Sequence, residues 1–348
     1  MISFIIPTFN RPVFLKQTLD SLLKNTDDRW EAICVDDGSG EETLQILEKY
    51  AGKYDQIKFI RRATAPKGAP HCRNIGIKYA KGQYLVFLDS DDLVAPWCVS
   101  DQLKTAQQYP GYDLWAFSLL TFQNKPGDSD VLWEKNFKGC TTNLEKILVK
   151  DNPWSTTTFL WQKNKFLQDG WNEQLVCWQD WELHLRVILQ NLQVKENYNL
   201  RPQIFIRRNN VSQITNESTF KKTILSRRHL FMHSYKLLQK YGQAKQKNVL
   251  ALSGYVFRDA LRIIDHRLDT SYADFYSLLK EFNISKWVYY RGYLFLKWRA
   301  FVVKHRIENK LTRYEWYGWV PLAFSVKRLY KVQKVKPEYL RQVKQLNY

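Results

Sequence analysis

Two patterns of apolar and polar positions alternate over roughly the first 120 residues. Short apolar runs predict β-strands, and the segments between them repeat apolar residues at helical spacing. The predicted strands are 2–7, 30–35, 57–61 and 83–88, and the predicted helices are 12–24, 41–54 and 72–79. This β-α-β-α order predicts an α/β fold with a mainly parallel, doubly wound sheet that carries helices on both faces.

The pattern changes after about residue 215, where strand signals stop. Two amphipathic helices are expected first, around 220–238 and 250–264, and the rest is aromatic and basic. We therefore predict an α/β domain over 1–215 and a helical, basic C-terminal region over 216–348. No run of about 18 uncharged apolar residues occurs, so a membrane-spanning helix is not expected.

The net charge of +19 is unevenly distributed. Residues 1–218 hold 26 Lys and Arg against 26 Asp and Glu, whereas residues 219–348 hold 27 against 8. A basic block of this size predicts contact with an anionic surface, either lipid headgroups or nucleic acid. The interleaved Trp, Tyr and Phe residues favour an anionic membrane, and no nucleic-acid recognition motif is present.

The start of the chain and its cysteines bear on the compartment. Met1 leads directly into an apolar strand-like run, without the features of a signal peptide. The five cysteines are scattered and never form a CxxC pair, which argues against a disulfide framework and a zinc site. We expect the cytoplasm, with peripheral attachment to the inner face of the membrane as a further expectation.

Three predicted strands end in polar residues at 7–10, 36–39 and 89–92. Carboxyl ends of parallel strands meet at one sheet edge, where ligands bind in such folds. Asp89, Asp91 and Asp92 repel one another unless a cation is shared there. Each acidic stretch alone could be a polar turn, but two of them favour a ligand site. EF-hand, GxGxxG and GxxxxGK[ST] patterns are absent.

At these positions the chain resembles the family 2 glycosyltransferases of GT-A fold. The resemblance covers about residues 2–215 and depends on the order and spacing of several short motifs. These are Pro7-Thr8-Phe9-Asn10 and the segments 35–39, 68–76, 87–92 and 170–186. The resemblance implies a GT-A-type catalytic domain that binds a nucleotide sugar.

The resemblance also implies roles for individual residues in nucleotide binding. The implied nucleotide-binding residues are Pro7, Thr8, Asn10, Asp36, Asp37, Lys67, Arg73, Asp89 and Ser90. Thr8 and Asp36 are expected to hold the base, with Asp37 as a neighbouring candidate. Asp89-Ser90-Asp91 matches the DxD motif, so Asp91 is the implied ligand of Mn²⁺ or Mg²⁺. For Arg73, a structural ion pair with Asp89 is an equal alternative to direct substrate contact.

Asp180 is the residue that the resemblance implies as the catalytic base. It stands near the predicted start of a helix, where the helix dipole tolerates negative charge. The family usually has Glu-Asp at this place, and here Gln179 replaces the Glu. A helix cap is the structural alternative for Asp180, and Glu182 is a second candidate base.

Two further residues are candidate contacts for the sugar or the acceptor. Trp178 stands beside Asp180 and could stack on a sugar ring, with packing in the core as its alternative. Arg208 lies in a segment, 207–212, that resembles a loop folding over the diphosphate in relatives. A solvated basic turn is an equal alternative for that segment.

The function implied is transfer of a single sugar, with inversion, from a nucleoside-diphosphate donor, expected to be a UDP-sugar. The expected acceptor is a hydroxyl of a glycan or lipid-linked molecule in cell-surface polysaccharide synthesis. The QxxRW signature of processive relatives is absent. Two alternatives stay open. One is a catalytically silent nucleotide-sugar-binding protein, suggested by Gln179, and the other is a nucleotidyltransferase, although no glycine-rich phosphate loop is present.

Overall fold

The alternating strands and helices at the start of the chain build one large sheet. A computed structural model describes residues 1–62, 66–137, 142–149, 152–208, 217–268, 270–305, 330–346 and 348. The strands are β1 (Ile2–Thr8), β2 (Trp30–Asp36), β3 (Ile57–Arg61), β4 (Tyr84–Phe87), β5 (Leu93–Val94), β6 (Leu114–Phe117), β7 (Leu119–Phe122), β8 (Val131–Phe137), β9 (Phe159–Gln162), β10 (Val194–Asn197), β11 (Ile204–Arg207) and β12 (Tyr330–Lys334). The helices are α1 (Pro12–Leu23), α2 (Glu41–Lys53), α3 (Ala69–Tyr79), α4 (Cys98–Gln108), α5 (Asn143–Val149), α6 (Gln179–Leu189), α7 (Glu217–Lys240), α8 (Gln246–Asp265), α9 (Tyr272–Ser277), α10 (Lys286–Lys304) and α11 (Pro337–Lys344).

The large sheet has seven strands in the order β10-β6-β9-β4-β1-β2-β3. The pairs β1–β2, β1–β4, β2–β3 and β6–β10 are parallel, and β9 runs antiparallel between β4 and β6. The prediction of a mainly parallel α/β sheet is confirmed. Strand β1 therefore ends beside β2 and β4 at the same sheet edge.

Strand β1 shows why helices cover both faces. Phe4 and Ile6 pack in a core shared with Leu15 of α1 and Leu47 of α2. Ile5 points to the opposite face and packs in a second core, because successive side chains of a strand alternate between faces. A sheet buried on both sides exposes its strand ends, which leaves them as the place for polar residues.

A second sheet has five strands in the order β12-β8-β7-β11-β5. Strand β12 pairs antiparallel with β8, so part of the predicted helical region 216–348 forms a strand on a sheet of the α/β part. Tyr348 donates its hydroxyl hydrogen bond to the backbone oxygen of Val94 at 2.9 Å. The division of the chain at 215 stays a prediction, and the end of the chain returns to the first part.

The predicted amphipathic helices of the C-terminal region correspond to α7 and α8. They share one apolar core with α5 and α6, in which Trp181 and Leu185 of α6 meet Phe231 of α7 and Tyr255 of α8. The C-terminal helices thus support the helix that carries Asp180. Within the residues described, no helix has both the length and the apolar character needed to cross a bilayer.

Candidate active site

A cavity of about 350 Å³ lies at the edge where β1, β2 and β4 end. It is lined by Pro7, Thr8, Phe9, Arg11, Asp37, Ala69, Cys72, Asp89, Ser90 and Asp91. Six of these residues are among those that the sequence marks as site candidates. The acidic segments after β2 and β4 therefore open into one space, as parallel strand ends require.

The two adjacent acids after β2 have different surroundings. Both Asp36 oxygens face the turn, and one accepts hydrogen bonds from the backbone N–H groups of Gly38 and Ser39, each at 3.1 Å. Gly38 permits this turn because its φ is +86°. The Asp37 carboxylate lines the cavity. It accepts from Arg62 Nη1 at 2.6 Å and from the backbone N–H of Gly68 at 2.7 Å. The geometry thus favours Asp37 over Asp36 as the residue that faces a ligand.

The loop after β1 is tied to the loop after β2. Asn10 has a φ of +48°, and its backbone N–H donates to Ser39 Oγ at 2.9 Å. Its side-chain oxygen accepts from the N–H of Gly40 at 2.8 Å. Thr8 is buried in the cavity wall. Asn10 therefore supports the loop after β1 through the loop after β2.

Lys67 lies at the rim of the cavity. Its ammonium nitrogen is 4.7 Å from the ring centre of Phe9 and 3.5 Å from the backbone oxygen of Gly38. The side chain is exposed, so it can move toward an anionic ligand. Cys72, on the wall, is a neutral thiol because burial raises its pKa to about 12.

Each carboxylate of the segment after β4 has its own partner. Asp89 accepts from Arg73, Asp91 forms an ion pair with Arg11, and Asp92 accepts from the backbone N–H of Arg207. Burial raises the pKa of Asp91, even though Arg11 opposes that rise. The Asp91 carboxylate is thus a desolvated anion at the cavity wall that is stabilised by a cation.

The surroundings of Asp91 fit a hard divalent cation. The donor is a carboxylate oxygen that faces the cavity. A metal would share this oxygen with the guanidinium of Arg11 or displace it. Among the described residues, no group of three His, Cys, Asp or Glu side chains stands close enough to enclose a metal. A single carboxylate suits Mg²⁺ or Mn²⁺ completed by diphosphate and water oxygens, which is how Mg²⁺ is usually held.

Arg73 connects the acidic segment after β4 to the start of α6. Its Nη2 donates to Asp89 at 2.8 Å, and its Nη1 donates to the side-chain oxygen of Gln179 at 3.0 Å. The guanidinium also stacks on Trp171, 4.4 Å from the ring centre. The structural ion pair considered for Arg73 is therefore present. It places Asp89 close to Asp180, the neighbour of Gln179.

Asp180 lies in the first turn of α6 but does not cap it, since the preceding cap residue is Trp178 in a left-handed conformation. Its Oδ1 accepts from the N–H of Trp181, and its Oδ2 accepts from Asn152 Nδ2, each at 2.9 Å. The side chain is deep in the protein yet partly accessible. Burial raises its pKa, and these hydrogen bonds oppose the rise. Asp180 is thus a carboxylate with a strengthened affinity for a proton.

Glu182 occupies a different environment from Asp180. It is fully buried and pairs with Arg186 at 2.8 Å and with His233 at 2.9 Å. Burial would raise its pKa, but these two partners hold the pKa below its ordinary value. Glu182 joins α6 to α7 and is not placed to receive a proton from a substrate, so the geometry disfavours it as a base.

Trp178 and Arg208, the candidate contacts for the sugar or the acceptor, are not among the residues that line the cavity. The Trp178 ring packs against Phe231 and Tyr255, with centroids 6.1 and 5.3 Å away, so packing accounts for it. Arg208 is exposed, and its guanidinium stacks 4.0 Å from the centre of the Trp133 ring. Residues 209–212 of its loop lie outside the described residues.

Four residues around these acids were not singled out from the sequence. Arg11, Arg62 and Asn152 contact an acid directly, and the fourth, His184, contacts Asn152. Arg11 directly follows Asn10, and Arg62 follows the end of β3, so attention to strand ends would have included both. His184 stands one helical turn after Asp180 and shares its helix face. Asn152 carries no local signal, because it reaches Asp180 only through the fold.

Comparison with known proteins connects this geometry with a protein family. The model of glycosyl transferase family 2 matches residues 3–171. A poly(ribitol-phosphate) beta-glucosyltransferase of Bacillus spizizenii is 41% identical over 95 residues, which are 27% of this chain and 15% of that protein. An uncharacterized glycosyltransferase of Haemophilus influenzae is 36% identical over 161 residues, which are 43% of this chain and 64% of that protein. The chain thus spans less than two thirds of the length of either relative.

A solved structure shows the same fold at low identity. TarS 1-349 of S. aureus, in complex with UDP-GlcNAc, superposes with a TM-score of 0.55 and 17% identity, covering 88% of this chain and 91% of that chain. The GT-A fold expected from the resemblance is therefore confirmed. Residues 3–171 of the chain are therefore identified as a glycosyl transferase family 2 domain.

Proposed function

We propose that this glycosyltransferase moves a single sugar, with inversion, from a UDP-sugar to an acceptor hydroxyl. The observation that carries the proposal is the common cavity of Asp37 and Asp91, joined to the helix of Asp180 through Arg73. Asp37 and Asp91 thereby open into one cavity, and Asp180 stands on the helix that Arg73 joins to Asp89. Each acid contacts a different partner, which suits three different roles. The partners are Arg62 for Asp37, Arg11 for Asp91 and Asn152 for Asp180.

For the donor, we assign the nucleotide to the cavity between the ends of β1, β2 and β4. Asp37 can accept a hydrogen bond from the N–H of a base, and Thr8 can contact the ring. Lys67, Arg11 and Arg73 supply positive charge around the diphosphate. TarS was solved in complex with UDP-GlcNAc, which supports a UDP-sugar as the donor class.

For the chemistry, we assign Asp180 as the general base. Its carboxylate takes the proton of the acceptor hydroxyl while that oxygen attacks the anomeric carbon and the bond to the diphosphate breaks. Attack opposite the leaving group inverts the anomeric centre. A raised pKa favours this role because a base works best when its pKa approaches the working pH. Gln179 still accepts from Arg73, so the replacement of the usual Glu keeps this contact.

A divalent cation is proposed to complete the donor site at Asp91. Mn²⁺ or Mg²⁺ bound there would supply charge that stabilises the leaving diphosphate. Arg11 lies against the same carboxylate and would need to share it or turn toward the phosphates. The chain's own arginines thus provide part of the same stabilisation.

The test is release of UDP from a panel of UDP-sugars, including UDP-glucose and UDP-N-acetylglucosamine, with poly(ribitol phosphate) and other polyols as acceptors. We expect turnover with one donor and a product anomer opposite to the donor anomer by NMR. UDP binding without turnover of any donor would favour the silent binding protein. Pyrophosphate release from a sugar phosphate and UTP would favour the nucleotidyltransferase.

We further propose that the C-terminal region contacts an anionic membrane through α10. Trp287, Tyr290, Leu294 and Phe301 follow one another at helical spacing along one side of α10, and their side chains are 55% to 65% exposed. The opposite side of the helix is buried through residues such as Leu296. Among the described residues, this row is therefore an apolar helix face directed to solvent.

The charge of α10 favours lipid as the partner of this face. The helix contains five Lys and Arg residues and no Asp or Glu. Helical spacing places Lys286, Lys297 and Lys304 beside the apolar row, whereas Arg299 pairs with Asp265. Aromatic residues beside cations suit the interface of an anionic bilayer. A glycan acceptor anchored in that bilayer would then stand near the catalytic domain.

Sedimentation with vesicles tests this proposal independently of activity. We expect binding to phosphatidylglycerol vesicles, weak binding to phosphatidylcholine, and about tenfold weaker partitioning for Trp287→Ser/Leu294→Ser. Val13→Ser is the matched control, because Val13 is 64% exposed on α1. The membrane proposal would be wrong if the double variant bound vesicles as well as the wild type does. It would also be wrong if the protein bound DNA but not vesicles at the same salt concentration.

A further inference from the structure

Asp180 is held by a chain of two buried side chains that the proposed chemistry does not yet use. Asn152 Nδ2 donates to Asp180 Oδ2 at 2.9 Å, and Asn152 Oδ1 lies 2.9 Å from His184 Nδ1. Asn152 and His184 are 8% and 1% exposed. The three residues therefore form a continuous line from the cleft into the core.

The chemistry of the partners fixes the direction of these hydrogen bonds. An ionised carboxylate only accepts, so the amide of Asn152 must present its NH₂ group to Asp180. The amide oxygen then faces His184 and needs a donor, which only a protonated Nδ1 supplies. Burial lowers the pKa of His184 to about 3, so the ring is neutral and carries its hydrogen on Nδ1.

The ring of His184 is in turn held by packing. It contacts Trp154 and Phe159 edge to face, with centroids 5.5 and 5.3 Å away. His184 and Asp180 are also one helical turn apart on α6. The position of the Asp180 carboxylate is thereby set by core residues rather than by its own rotamer preference.

We propose that Asn152 and His184 are positioning residues, which hold the Asp180 carboxylate in one orientation and leave its remaining lone pairs free for the acceptor hydroxyl. This inference depends on the proposed role of Asp180 as the base. Both residues act through Asp180 and contact no substrate. Because the donor to the carboxylate is neutral, the arrangement orients Asp180 without removing its ability to take a proton.

Asn152→Ala is the first test, with the UDP-sugar that is turned over as the probe and water or an added polyol as the acceptor. We expect kcat to fall about 10- to 100-fold, while the donor KM and the affinity for UDP stay within about twofold. The acidic limb of the pH profile should move to higher pH, because the variant loses a hydrogen bond that lowers the pKa of Asp180. The charged groups that face Asp180, Arg73 and Asp89, are unchanged in this variant.

His184 offers a matched pair of variants. His184→Phe keeps an aromatic ring but removes the Nδ1 donor, whereas His184→Asn keeps a donor at that place. We expect His184→Phe to lower kcat and His184→Asn to recover part of it. The double variant Asn152→Ala/His184→Phe should be no slower than Asn152→Ala, since both act on one line of contacts.

Asn248→Ala is the control for lost stability, because Asn248 is 4% exposed and donates to the backbone oxygen of Gln243 rather than to a residue of the site. Its kcat should equal that of the wild type. If Asp180→Asn is inactive but Asn152→Ala keeps full kcat and an unshifted pH profile, the positioning inference is wrong and the proposed function stands. If Asp180→Asn itself keeps full activity, the assignment of the base is wrong.

Discussion

The turn after β4 and the first turn of α6 each carry one carboxylate removed from water, and the two carboxylates differ in the groups that contact them. Burial raises the pKa of both Asp91 and Asp180. Asp91 is paired with the cationic guanidinium of Arg11. Asp180 accepts hydrogen bonds from two neutral donors, Asn152 and the backbone N–H of Trp181.

This difference fits the two roles proposed for the same functional group. A carboxylate against a cation is stabilised as an anion, so it is suited to hold positive charge. A carboxylate against neutral donors is oriented but keeps more of its affinity for a proton, so it is suited to act as a base. The two acids are chemically identical, so we expect the groups that contact them to decide their roles.

The largest effect is expected from Asp180→Asn. The amide cannot take a proton from the acceptor, so kcat should fall by roughly 10² to 10⁴. Affinity for UDP, measured by calorimetry, should stay within about twofold, because Asp180 does not line the nucleotide cavity. If the variant lost UDP binding together with turnover, Asp180 would contribute to donor binding. Asp180 and Asp91 would then not differ in role.

A smaller effect of a different kind is expected from Asp91→Asn. We expect kcat/KM to fall by about 10²-fold, because stabilisation of the leaving diphosphate is lost. The more specific readout is binding: Mn²⁺ should strengthen UDP binding by the wild type and should leave the variant unaffected, as measured by calorimetry. Equal Mn²⁺-dependent binding by both proteins would show that Asp91 holds no metal.

The smallest effect concerns stability against pH. Because the folded-state pKa of Asp180 is raised, the folded protein holds this proton more tightly than the unfolded chain. The ionised form therefore destabilises the fold as the pH rises above the ordinary Asp value of 3.8 through the raised pKa. Asp180→Asn lacks this titration, so its thermal midpoint relative to the wild type should increase between pH 4 and pH 7.

Differential scanning calorimetry at several pH values measures that change. A difference between the two proteins that stays constant with pH would mean that Asp180 has an ordinary pKa in the folded state. Asp20→Asn serves as a comparison of opposite sign, because Lys16 and Tyr50 hold the pKa of Asp20 below its ordinary value against its partial burial. Its ionised form stabilises the fold, and that contribution is lost as the pH falls.

The sequence by itself determined the α/β order, the three polar strand ends and the acids that stand there. These features are local: period-two and helical patterns decide the elements, and parallel strands must end at one edge. Asp91 and Asp180 could be singled out because they lie in motifs with a family resemblance. The bounds of β3, predicted at 57–61, agree with the structure.

Only the tertiary structure decided which group each carboxylate of the site contacts. Asp37 lines the cavity, whereas the Asp36 carboxylate faces the turn at Gly38. The contact of Arg11 with Asp91 joins residues 80 positions apart, and that of Asn152 with Asp180 joins residues 28 apart. No periodic pattern specifies such pairs, because they depend on how whole elements pack, and the partner of each carboxylate decides its chemistry.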